Sequence, residues 1–126
     1  MVWDPSRITP RPWANLIAFY RDIEDRNLEF RPIRILAEHV AARSPRALFG
    51  ASSGTALLVA RREGADWARE GVRVDVGLDG RIRFVMAAPA PAKPRVSTSE
   101  ASAIVNAFEE LVHKAGWGAR TMPDRA

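Results

Sequence analysis

Large apolar residues recur at three- and four-residue steps between positions 11 and 27, at Trp13, Leu16, Ile17, Tyr20 and Ile23, the repeat of one helical face. The spacing predicts a first helix, with Pro12 in its first turn, where a missing N–H costs nothing, and Asn27 in the left-handed conformation that ends it. Its other face, Arg21, Asp22, Glu24, Asp25 and Arg26, mixes signs and reads as solvated. Pro32 opens a second, shorter pattern in which Ile33, Leu36 and Val40 share a face as far as about Arg43, before Ser44-Pro45 stops it. The alternation of Phe30, Pro32, Ile33 and Ile35 leaves an edge strand open as the other reading of that start.

Beyond this point the period changes from helical to two. A short strand is expected at 47–51, then a turn at Ser52-Ser53-Gly54, then a strand at 55–60 that is apolar on both faces and therefore central. A polar loop, 63–71, holds Trp67. Val72, Val74 and Val76 then alternate with Arg73, Asp75 and Gly77, the signature of a half-buried strand. Asp79-Gly80 and the returning run 81–86 make a hairpin. A two-residue turn would set Arg83 among the valines. A three-residue loop, Leu78-Asp79-Gly80 with Gly80 left-handed, instead places Val76 opposite Ile82, Val74 opposite Phe84 and Val72 opposite Met86. That register is expected, with Asp75 and Arg83 forming a cross-strand ion pair on the other side.

Three prolines among alanines make 87–95 an extended connector. Ser97-Thr98-Ser99-Glu100 has the spacing of a capping box, which predicts a helix start there. Ala101, Ile104, Val105, Phe108, Leu111 and Val112 then trace one face, and Gly116 supplies the left-handed stop. The fold class expected is α+β: two N-terminal helices, a three- or four-stranded antiparallel sheet containing the 72–86 hairpin, and a C-terminal helix packed on one sheet face. One domain spans 1–117 and a loose tail 118–126. A chain of 126 residues has room for one core.

Composition narrows the chemistry. The absence of cysteine excludes disulfides, thiolate nucleophiles and thiolate metal sites, and suits a reducing cytoplasm. The start, Met1-Val2-Trp3-Asp4-Pro5, carries an acid and a proline where a signal peptide has a basic patch and an apolar run, so export is not expected. No apolar stretch approaches the roughly 20 residues of a membrane span. The formal charge of +4 favours an acidic partner, although a chain this rich in arginine and alanine equally reflects biased codon usage.

Candidate catalytic groups fail on chemical grounds. Two histidines without cysteine make a poor metal set, so no metal and no cofactor are expected. His39 reads as a boundary residue and His113 as a cation favoured at a helix C-terminus. Ser52-Ser53-Gly54-Thr55 lacks both the lysine and the following helix of a phosphate cradle. Asp66 and Glu70 flank Trp67 as an acid–base pair beside an aromatic, yet nothing in the sequence fixes their separation.

The leading expectation is therefore a non-catalytic protein-binding module, not an enzyme, whose partner has an acidic surface. Arg73, Arg81 and Arg83, projecting from the open sheet face near Arg61 or Arg62, are the expected contact residues together with Arg61 and Trp67. Small bacterial immunity and antitoxin proteins share this size and layout, an analogy that rests on no motif. The alternative is a nucleic-acid-binding domain using the same arginines, although the base-stacking aromatics of sheet-type RNA readers are missing from these positions. A third reading, an enzyme built from Asp66, Trp67, Glu70 and His39, has the least support, and homodimerisation stays open.

Overall fold

A computed structural model describes residues 8–43, 48–62 and 64–117. The expected stop at Ser44-Pro45, the tail 118–126 and the reading of Met1 to Pro5 lie outside these residues. The first apolar stripe forms α1 (Trp13–Arg26), burying Leu16 and Tyr20. Asn27 ends it in an extended conformation (φ −152°), not the left-handed one expected. The reason is local: its side-chain oxygen accepts the Glu29 N–H at 3.0 Å, starting a single 3-10 turn (Leu28–Phe30) that leads directly into α2 (Arg31–Ala41).

The helical reading of Pro32 and Ile33 holds, and the edge-strand alternative does not. The supposedly solvated face of α1 is also engaged. Glu24 accepts from Arg31 and Arg34 of α2, and Glu38 of α2 accepts from Arg34 and from Arg21 of α1, so a chain of charges ties the two helices together.

Five strands follow: β1 (Phe49–Ser53), β2 (Ala56–Ala60), β3 (Val72–Val76), β4 (Ile82–Met86) and β5 (Arg95–Ser99). They pair antiparallel in chain order. The hairpin has the expected register, with Val72 opposite Met86, Val74 opposite Phe84 and Val76 opposite Ile82. Gly80 sits at φ 81° in the reversal, and the Gly77 N–H donates to the Arg81 carbonyl at 2.8 Å.

The strand count exceeds expectation because 95–99 is a strand, not the start of a helix. Ser97 makes no cap; the final helix starts with a 3-10 turn at Ala101–Ala103 and continues as a regular helix at Ile104–Lys114. Without β5, the backbone groups of β4 that point away from β3 would have no ladder partner, and that requirement outweighs a single capping bond.

Between β2 and β3 the polar loop contains a four-residue helix, α3 (Trp67–Glu70), so the final helix is α4 (Ile104–Lys114). It ends as expected: Gly116 has φ 77° and the Trp117 N–H reaches back to the Val112 carbonyl at 3.0 Å. Helices α1, α2 and α4 cover one sheet face. Tyr20, Ile33, Leu36, Val40 and Phe108 pack there against Leu57, Val59, Val72, Val74, Ile82 and Phe84. The N-terminus of α1 lies close on β1, where a Cβ on Gly50 would come within 2.5 Å of the Trp13 ring. Among the described residues no helix is long and apolar enough to cross a membrane.

Candidate functional site

Strand alternation sorts the sheet residues by face, and the face away from the three long helices carries Ala51, Leu58, Ala60, Arg73, Asp75, Arg83, Val85, Val96 and Thr98. Half of it is covered. Trp67 lies over Ala51, Leu58 and Ala60, with Ile8 and Ala65 at the rim, as a second small core. Its ring N–H donates to the Ile8 carbonyl at 3.2 Å and only 4% of the residue is exposed. Trp67 is thus a packing residue in this arrangement, where the sequence suggested a contact. An apolar pocket of about 160 Å³ remains beside it, between Leu58, Val85, Arg73 and Pro94.

The arginines expected on that face are dispersed. Arg73 is half-buried and bonds Asp75, two residues along its own strand, at 2.9 Å. The cross-strand partner expected for Asp75 was Arg83; the positions do face one another, but the bond goes to Arg73. Arg83 is exposed on the face and Arg81 is exposed in the reversal. Arg61 follows the last residue of β2, at the other end of strands about 17 Å long.

At that other end the chain builds a cleft of about 600 Å³. Helix α3 starts where the Arg69 and Glu70 N–H groups both donate to the Asp66 carbonyl, at 2.9 and 3.1 Å. Gly71 lets the chain turn back beneath Trp67, since a Cβ there would come within 2.9 Å of the indole. This short turn brings Arg69 and Glu70 to the cleft, which Arg61 and Trp117 also line. Glu70 accepts two hydrogen bonds from Arg62, at 3.1 and 2.5 Å, and this guanidinium holds its carboxyl below the usual range against the opposing effect of burial.

Arg61 is held differently, its guanidinium 5.9 Å from the centroid of the Trp117 ring. Arg69 is exposed and has no ion pair among the described residues. With Arg62 paired to Glu70, the remaining positive charge at the cleft comes from Arg61 and Arg69, against the further carboxylate of Asp66, and Met86, Pro89 and Trp117 add apolar surface. Arg61 belongs to the expected contact set, with Arg62 named as its alternative; Arg69 does not, because only the fold of α3 brings it to the cleft.

A third cluster is internal. His39 of α2 meets Glu109 of α4 at 2.7 Å, and Arg43, just past α2, donates to both oxygens of Glu109 at 2.9 and 3.2 Å. The side chains of Arg43 and Glu109 are 3% and 7% exposed. Burial pushes the Glu109 carboxyl up, but the bonds from Arg43 and His39 prevail and hold it below its usual range. One Arg43 nitrogen, Nη1, is buried without a partner among the described residues. The bond of His39 is therefore to Glu109, not to the Asp66 and Glu70 of the enzyme reading, which line the cleft instead. No group of three metal-ligating residues occurs among the described residues.

Comparison of the chain with protein-family models, with curated proteins and with solved structures gave no match.

Proposed function

We propose that the chain is a protein-binding module that takes an acidic segment of its partner in the cleft between α3 and the end of α4. The observation that carries this is the pair Arg61 and Arg69. Both guanidiniums border one concave surface with an aromatic floor, and neither is committed to a carboxylate among the described residues. Stacking on Trp117 restricts Arg61 before anything binds, which lowers the ordering cost of a contact. Arginine presents a planar fork suited to carboxylates, and the apolar wall accommodates a large side chain beside them.

The net charge of +4 works in the same direction, attracting an acidic surface from a distance. A cytoplasmic module of the immunity or antitoxin kind, binding one dedicated partner, is the version that size and layout favour.

The nucleic-acid reading is supported by the exposure of Arg81 and Arg83. It is weakened by the bond of Arg73 to Asp75 and by the distance of Arg61 from the hairpin.

The test is affinity capture from the native host with the wild-type chain and with an Arg61→Glu/Arg69→Glu variant, followed by titration of any captured protein. A protein held by the wild type and lost with the variant is expected, with affinity falling as salt rises. Capture of nothing, or equal capture by both, would overturn the reading. Binding of single-stranded nucleic acid that depends on Arg81 and Arg83 but not on Arg61 would move the function to the alternative.

A further inference from the structure

The two edges of the sheet differ. The Gly77 N–H donates to Arg81 and the Ala87 N–H donates to Gly71, both at 2.8 Å, so the odd-numbered residues of β4 bond β3. Ile82, Phe84 and Met86 therefore turn their backbone groups to β5, opposite Ser99, Ser97 and Arg95. By alternation, Val96 and Thr98 direct their N–H and C=O groups outward. The same count at the far edge makes Gly50 an outward residue of β1. Its carbonyl accepts the Arg11 N–H at 2.9 Å, an independent check on the alternation.

The β1 edge is thus partly occupied by the segment at Arg11, while among the described residues nothing bonds the backbone of Val96 or Thr98. Strand β5 is also exposed from Arg95 to Thr98, and Val96 is 55% exposed. Exposed edges are usually blunted by charge or by proline within the strand; here Pro94 lies just before it and Arg95 is its one charged residue.

We infer that β5 pairs antiparallel with β5 of a second copy of this chain, about a two-fold axis at Ser97, so that the two sheets become one. The strand is complementary to itself in that register. Val96 falls opposite Thr98 of the second copy, and both are residues whose backbone groups point outward, so each pair exchanges two N–H···O bonds. The row that begins with Val85 opposite Val96 continues into Thr98 of the second copy, and β-branched neighbours suit such a ladder.

Charge agrees with the same register. Two chains of +4 repel, yet no like charges meet in the ladder. Arg95 falls opposite the uncharged Ser99 of the second copy. The occupied β1 edge closes the assembly at two copies instead of an open fibre.

Size-exclusion chromatography with light scattering, from about 1 µM to about 1 mM, spans the range of a weak dimer. The mass is expected to rise from one copy to two and to stop there. Thr98→Pro removes an outward N–H that no other described residue uses, and should leave a folded monomer by circular dichroism. Ser97→Cys, in a chain with no other cysteine, should cross-link to its own copy on mild oxidation, because the two Ser97 residues meet on the axis as a pair that is not hydrogen-bonded.

A wild type that stays monomeric throughout, a Thr98→Pro chain as dimeric as the wild type, or masses that grow past two copies would overturn the inference. A Ser97→Cys chain that does not cross-link would overturn the Ser97-centred register even if Thr98→Pro failed to fold.

Discussion

Arg43 and Glu109, 66 residues apart in the chain, are joined by two hydrogen bonds, and both side chains are more than nine-tenths buried. A pair so enclosed is costly to break from one side, because the survivor keeps its charge without its partner. Glu109→Ala is expected to cost about 3–5 kcal/mol in urea unfolding. Replacing the cluster together, as Glu109→Leu, Arg43→Met and His39→Leu, should leave stability within about 1 kcal/mol of the wild type or raise it, since no charge is then stranded.

The same carboxyl gives stability a pH dependence. Its folded-state pKa lies below the unfolded value, so the contribution is present above about pH 5 and is lost as pH falls through the folded value. Urea midpoints measured from pH 7 down to pH 3 should fall less in the triple replacement than in the wild type.

Glu24 should titrate unusually low. Arg34 first, then Arg31, hold its carboxyl down to about 2. Because the folded value is the lower one, the tie between α1 and α2 survives above the ordinary carboxyl range and disappears only as pH falls through about 2. A carboxyl-carbon NMR titration should give that midpoint, and Arg34→Gln should return it toward the ordinary range.

Gly50→Ala would set a methyl group 2.5 Å from Cη2 of Trp13 and 2.9 Å from Cδ1 of Leu16. Overpacking of this kind costs about 1–3 kcal/mol. The thermal midpoint should drop, and the drop should shrink in a Trp13→Phe background, where the offending edge of the ring is gone.

Gly80→Ala isolates the backbone. A Cβ there meets nothing within 4 Å, but φ is +81°. The expected cost is about 1–2 kcal/mol in urea unfolding, with Gly80→Asn losing less.

The hairpin was legible in the sequence because only one register gathers Val72, Val74, Ile82, Phe84 and Met86 on a single side. Strand β5 was not, because the spacing from Ser97 to Glu100 also fits a helix cap; what decides it is the unpaired backbone of β4, which no local pattern shows. What anchors Trp67 was hidden for a similar reason: the carbonyl that accepts its ring N–H belongs to Ile8, 59 residues away. Glu109 did leave a trace. It stands four residues after Val105 and three before Val112, inside the apolar stripe of α4, while Arg43 lies three residues beyond Val40 on the buried side of α2. A charge at a core position calls for an opposite charge, and these two residues answer one another.

The indole of Trp13, resting on Gly50 and bonded through its ring nitrogen to the Leu48 carbonyl at 2.8 Å, also sets the order in which the sheet lets go. Strand β1 cannot peel away without lifting the start of α1, so its amides should exchange with solvent only in large, cooperative openings. Among the described residues no comparable fastener holds the opposite margin. In a dilute, isolated chain the amides of 95–99 should be the first of the sheet to take up deuterium.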